Sequence, residues 1–251
     1  MSVREAHAQA VTSPRADAPR DAMHAALLLD GQAEAAAFVR RQVERAGNRR
    51  RSPVWDTELE AAALAESVPA WLDERFGAPV RACPGVSRVG WGRGLPERVT
   101  VNAIDLANDG ETLRERLPLC ELTVRDYAAV GPTFFDLPVL TGLRSLSFAP
   151  TEFGLTDLEA LAASPMLLRL RVLGLANLDL PASALDLLAT APSLAALRYA
   201  RLDGNRFTDP NPALQGAPPR TSQLAADHPW RPWFHGFALG YAPPSEAFDG
   251  P

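Results

Sequence analysis

Cysteine is nearly absent: Cys83 and Cys120 are the two in 251 residues. That is too few for a disulfide framework, and their spacing is not that of a metal site. Each is expected to be a small buried side chain in a protein of the reducing cytoplasm. Long apolar runs are missing as well, so no membrane-spanning helix is expected. The opening MSVREAHAQAVTSPRADAPRD lacks the uninterrupted apolar stretch of a secretory signal. There is no basic excess either. Lys and Arg number 25 against 30 Asp and Glu, for a formal charge of −5, which argues against a general binder of nucleic acid or anionic membrane.

The familiar catalytic signatures are also lacking. There is no phosphate-binding P-loop, dinucleotide fingerprint, zinc-protease helix, nucleophile elbow or Cys-x-x-Cys. Of the four histidines, none stands beside a plausible nucleophile and orienting acid. Trp91-Gly92-Arg93-Gly94 is glycine-rich but precedes a strand, so it has no helix N-terminus to offer a phosphate. The expectation is a chain with no catalytic residues, no cofactor and no metal.

What is present is repetition. LAASPMLLRLRVLGL at 161–175 returns as LATAPSLAALRYARL at 188–202, a shift of 27 that pairs Leu161 with Leu188, Pro165 with Pro192, Leu170 with Leu197 and Leu175 with Leu202. One further step back gives Pro138, Leu140, Leu143, Leu146 and Phe148. A fourth copy, Leu119-x-x-Leu122-x-Val124, lies 24 residues earlier. A fixed period of this size marks a supersecondary unit stacked on itself. LTDLEALAAS and LPASALDLLATA read as helices on one side. The aligned prolines come after each helix and turn the chain toward the next strand.

The N-terminal third reads differently. Apolar Met23, Ala26 and Leu27 recur at helical spacing from Pro19 until Asp30-Gly31. A second helix carries Ala36, Val39, Val43 and Ala46 on one stripe until Gly47. Asn48 to Ser52 forms a basic connecting loop, and DTELEAAALAESVPAWLDERFG is a third helical region that Pro69 splits. The alternation of Val99 and Val101 with Arg98, Thr100 and Asn102 then marks a half-buried strand.

SPRADAPR, the apolar helix ending in Asp30-Gly31, FVRRQVERA and WGRGLPERVTV together resemble the bacterial repeat-companion domain, a short helical module followed by leucine-rich repeats. The resemblance spans about residues 10 to 205. It implies an α/β protein: an N-terminal helical module followed by a short leucine-rich-repeat solenoid, ribonuclease-inhibitor-like, with a parallel concave sheet and convex helices. The expected organisation is a flexible N-terminus at 1–14, the helical module at 15–80, repeats at 95–205 and an irregular aromatic-rich segment at 206–251.

In such a unit the leucines of L-x-x-L-x-L are committed to the core and the alternate residues face outward. The outward rows are then Arg98, Thr100 and Asn102; Glu121, Thr123 and Arg125; Ser145, Ser147 and Ala149; Val172, Gly174 and Ala176; and Tyr199, Arg201 and Asp203. Small in the middle and charged or aromatic at the ends, they predict a shallow trough. The candidate partner-binding residues are Glu121, Thr123, Arg125, Ser145, Ser147, Val172, Gly174, Tyr199, Arg201 and Asp203. The expected function is non-catalytic binding of a protein partner on this face, with no nucleic acid and no membrane involved.

Asn205 stands three residues after Leu202, where its amide can satisfy backbone groups of the loop. Beyond it the pattern fails. Trp230, Trp233, Phe234, Phe237, Tyr241 and Phe248 crowd the last segment, which reads as a cap over the end of the repeats. The alternative is an accessory or substrate-like protein of an enzyme system whose aromatic tail is recognised or processed.

Overall fold

A computed structural model of the chain describes residues 1–206 except 15, 50–66, 182, 198 and 203, with the backbone alone described at 47–49 and 199. The aromatic segment, Asp203 and the first part of the third helical region lie outside the described residues. The architecture is α/β, with a mostly parallel sheet of six strands among the described residues.

Three helices open the chain: α1 (Val3–Thr12), α2 (Ala18–Leu29) and α3 (Ala33–Arg49). Residues 3–12, which the sequence pattern left without an element, form a helix. Ser2 and Glu5 form a reciprocal capping box at the start of α1, and Val3, Ala6 and Ala10 are buried against the other helices. The pattern misleads here because a stripe of two alanines and a valine carries little apolar weight in sequence, yet lets helices approach closely. Gly31, with φ +73, ends α2 as its position predicts.

Pro69 caps the next helical piece, which runs as α4 (Ala70–Leu72), a π turn at Asp73–Gly77 and α5 (Ala78–Arg81). It continues past Gly77, and Asp73 receives both Nη groups of Arg81 at 2.8 and 2.6 Å across the π turn.

β1 (Val86–Gly92) and β2 (Leu95–Asn102) form an antiparallel hairpin. Its two-residue turn holds Arg93 at φ 48 and Gly94 at φ 85, the doubly left-handed geometry whose twist matches the strands. The turn packs on the helical module: a Cβ on Gly94 would lie 2.8 Å from the Val39 Cα, and Trp91 meets Phe38 edge-on at 5.9 Å.

From β2 the strands are parallel and in sequence order: β3 (Glu121–Arg125), β4 (Ser145–Phe148), β5 (Val172–Gly174) and β6 (Tyr199–Arg201). α6 (Ala103–Arg116), α7 (Leu155–Ala163) and α8 (Ser183–Thr190) connect them. Val99, Val101, Leu122, Val124, Leu146, Phe148, Leu173, Leu175 and Leu202 all enter one core with these helices. Pro138, Pro165 and Pro192 each begin a 3-10 turn. The same bond follows in every copy: the amides of Leu143, Leu170 and Leu197 donate to the carbonyls of Leu140, Leu167 and Leu194 at 3.2, 2.9 and 2.8 Å.

The shorter unit between β3 and β4 has no α-helix. Its 3-10 turns at Tyr127–Ala129 and Gly131–Asp136 bring Tyr127, Phe134 and Phe135 against Phe148 and Phe153, with Tyr127 central at centroid distances of 5.0 to 5.7 Å. Large rings fill the volume that a helix occupies in the 27-residue units, each contributing about 1.5–3 kcal/mol by burial. Asn205 closes the series. Its Oδ1 accepts from the amides of Leu178 and Leu180, both at 3.0 Å, and its Nδ2 donates to the carbonyls of Leu175 and Leu202 at 2.7 and 2.9 Å.

Candidate interaction face

Strand register sets the candidate residues in rows. Because parallel neighbours pair without slippage from β2 onward, Arg98, Glu121, Ser145, Val172 and Tyr199 form one row across the sheet. Thr100, Thr123, Ser147, Gly174 and Arg201 form the next. Arg125 pairs with Asn102 at the start of a third. The structure therefore brings nine of the ten predicted positions onto one face, as Glu121, Thr123, Arg125, Ser145, Ser147, Val172, Gly174, Tyr199 and Arg201; Asp203 lies outside the described residues.

Exposure is uneven along these rows. Arg125 and Arg201 are exposed, and Glu121, Thr123, Ser145 and Ser147 are half-buried. Val172, at 8% exposure, and Gly174 are buried, which corrects the expectation that both line an open trough. At Gly174 the cause is the neighbouring serine: a Cβ there would lie 2.3 Å from the Ser147 Oγ, so the hydroxyl already occupies the space above the glycine. The centre of the face carries the hydroxyls of Thr123, Ser145 and Ser147. Arg98 and Glu121 are paired along the first row at 3.4 Å.

Beneath the start of β2 lies a polar cluster that sequence reasoning missed. Glu97 occupies the inward parity of Val99 and Val101, and its carboxylate binds both Arg20 of α2 and Arg93 of the hairpin turn. Arg93 also reaches Asp17 at 3.2 Å and the carbonyl of Pro14. Cys120 sits in this cluster, 3.8 Å from Arg93 and from the Pro14 carbonyl. Burial, reinforced by the Glu97 carboxylate, pushes its thiol up to about 12, while Arg93, Arg144 and Arg20 pull the other way. The thiol stays protonated and is a poor nucleophile. Both cysteines are buried and free, as their scarcity suggests. The one available sequence signal was a charged residue at an inward strand position.

A cleft of about 320 Å³ between α2 and α3 is lined by Asp21, His24, Val39, Arg40, Val43 and Glu44 around Arg20. Two of its cations are engaged: Arg40 binds Glu44 at 2.8 Å and Arg20 is held by Glu97. No group of His, Cys, Asp and Glu among the described residues is arranged to hold a metal ion. No described helix is long and apolar enough to cross a membrane.

The chain matches no family model, no curated protein and no solved structure.

Proposed function

We propose that this chain is a non-catalytic interaction protein, in which a repeat-companion-like helical module precedes a short leucine-rich-repeat solenoid and a protein partner binds the outward face of the parallel sheet. The observation that supports this reading most is the register. Five consecutive parallel strands commit Val99, Val101, Leu122, Val124, Leu146 and Leu173 to the core and set Glu121, Thr123, Ser145 and Ser147 in two straight rows on the opposite side of the sheet. Repeat arrays present extended sheet surfaces of this kind to partners.

The alternative, recognition or processing of the aromatic tail, concerns residues outside the described region, whereas the face is built from described ones. The two readings separate in an affinity recovery from the native host, using the full chain as bait. A Thr123→Trp variant places a large ring in the second row beside Ser147, and Asp109→Lys alters the exposed surface of α6. Loss of the recovered proteins with Thr123→Trp but not with Asp109→Lys supports the face. Equal recovery with wild type and Thr123→Trp would sink it.

A further inference from the structure

Every residue of β1 to β4 is described, so the charge of this end of the face is fixed by named residues. Arg88 stands directly opposite Thr100 in the β1–β2 pair, while its neighbour Val89 packs on the core. Residues opposite each other share a face, so Arg88 extends the second row, which reads Arg88, Thr100, Thr123 and Ser147. The outward charges of these strands are Arg88, Arg98 and Arg125 against Glu121. Arg98 and Glu121 offset each other at 3.4 Å. Arg88 and Arg125 are exposed, and neither has a hydrogen-bond or ion-pair partner among the described residues. On a chain of net charge −5, these two arginines leave this end of the face locally basic.

Their spacing suits a single group held between them. Arg88 on β1 and Arg125 on β3 lie two strand spacings apart, about 10 Å, and one pleat apart along the strands, about 7 Å, a diagonal of roughly 12 Å between backbones. Two arginine side chains reaching toward each other span that diagonal. Thr100 and Thr123 lie along it in the second row, both half-buried and neither hydroxyl bonded among the described residues. Two acids follow the ends of β2 and β3: Asp105, whose carboxylate accepts from the Asn102 amide at 3.3 Å, and Asp126, next after Arg125. They repel any further anion on that side, which limits the patch to one group.

We infer that this end of the face holds a phosphorylated serine or threonine side chain of a protein partner, its phosphate clamped between Arg88 and Arg125 while the Thr100 and Thr123 hydroxyls donate from the sheet. The inference rests on the binding-face reading and adds the chemistry of the group bound. Two guanidinium charges and two hydroxyl donors match a phosphate, with roughly two negative charges and three acceptor oxygens. A single carboxylate brings one charge and leaves an arginine unmet. Guanidinium groups bind phosphate oxygens in two-pronged hydrogen bonds. Two exposed arginines on a strand surface do not enclose a free ion, so the phosphate arrives on a larger molecule. A nucleic acid fits less well, since two arginines edged by acids offer few successive phosphate contacts.

The test is a synthetic array of random peptides with a central phosphoserine, serine or glutamate, probed with the full chain, followed by fluorescence-polarisation titration of the binders. Phosphoserine peptides are expected to bind about tenfold or more tightly than their serine and glutamate counterparts, with affinity falling as salt rises. Arg88→Gln and Arg125→Gln should each weaken them by about tenfold. Both positions are exposed, so neither change disturbs the core. Thr123→Trp should abolish binding, whereas Arg4→Gln, which removes an exposed arginine of α1, should leave it unchanged.

Peptides that bind equally well with serine, glutamate or phosphoserine, yet are blocked by Thr123→Trp, would overturn the phosphate while keeping the face. Phosphopeptides indifferent to both arginine variants would overturn the clamp. An array without a phosphopeptide binder overturns the phosphate, and the face falls with it only if recovery from the native host is also indifferent to Thr123→Trp. Host proteins that are still recovered after phosphatase treatment of the lysate, but are lost with Thr123→Trp, again keep the face without the phosphate. Tighter binding of a single-stranded oligonucleotide through the same two arginines would assign the patch to nucleic acid instead.

Discussion

Arg20 on α2 and Glu97 on β2, 77 residues apart, form a buried ion pair that joins the N-terminal helices to the sheet. Arg93 shares the same carboxylate from the hairpin turn and holds Asp17 and the Pro14 carbonyl on its other side. The left-handed φ of Arg93 is a conformation that costs a non-glycine residue about 1–2 kcal/mol. It is retained because Glu97, Asp17 and the Pro14 carbonyl hold the guanidinium in place. The hairpin turn is thus fixed by helices that precede it by more than fifty residues, and with it the first row of the candidate face.

Removing one side of that pair should be costly. Arg20→Met leaves Glu97 buried with half its partners, and breaking a buried pair typically costs about 3–5 kcal/mol. The expected drop in melting temperature is roughly 10 °C. A double variant, Arg20→Met with Glu97→Gln, should lose clearly less than the sum of the two single losses, and a double-mutant cycle by urea unfolding measures this. Additive losses would show that the pair does not act as a unit.

Asn205 is the second such link, and its partners can be followed one by one. Asn205→Ala removes acceptors for the Leu178 and Leu180 amides and the donor for the Leu175 and Leu202 carbonyls. The expected loss is about 2–4 kcal/mol. Amide hydrogen exchange should accelerate at Leu178 and Leu180 more than at Leu173, which lies in the middle of β5. Uniform acceleration across all three amides would mean that the side chain supports the whole unit and not this turn.

The strands, helices and turns of the 27-residue pattern were legible because they rest on local chemistry. Leucines at a constant shift of 27, prolines at each turn and an asparagine after the last strand report directly on faces and caps. The outward rows followed from parity alone. The Arg20–Glu97 pair was not legible, because partners far apart in sequence leave no periodic trace. β1 was missed for a related reason: in VSRVGWG the Ser87-Arg88 pair and the two glycines break the apolar alternation. The aromatic packing around Tyr127 replaces a helix in the unit that is three residues shorter, and a search for helical spacing passes over it.

Two glycines separate backbone strain from lack of space. Gly31 and Gly94 both have left-handed φ, at +73 and +85, but nothing lies within 4 Å of a Cβ on Gly31, whereas one on Gly94 would lie 2.8 Å from the Val39 Cα. Gly31→Ala should cost only the conformational term, about 1 kcal/mol. Gly94→Ala must also displace the hairpin turn from α3, and its cost should exceed that of Gly31→Ala by at least about 1 kcal/mol. Chemical denaturation of the two variants side by side checks the order; equal losses would mean that the turn does not press on Val39.

A pH dependence follows from His7 on α1, whose ring stacks on Phe76 at 4.5 Å and hydrogen-bonds to the backbone of Arg116. Burial lowers its pKa to about 4; the Arg116 bond opposes that shift and the charge of Arg75 adds to it. The buried Nε2 has no hydrogen-bond partner among the described residues, which suits a neutral ring. Between about pH 6.5 and pH 4 the unfolded chain therefore binds a proton at this position that the folded chain refuses. Stability should be undiminished by His7 above pH 6.5 and fall progressively toward pH 4, by about 3 kcal/mol from this residue. His7→Phe keeps the stacking ring and removes the titration. The difference in unfolding free energy between wild type and His7→Phe should shift in favour of the variant as pH falls from 7 to 4; a difference that stays constant over that range would show that the ring does not change its protonation on folding.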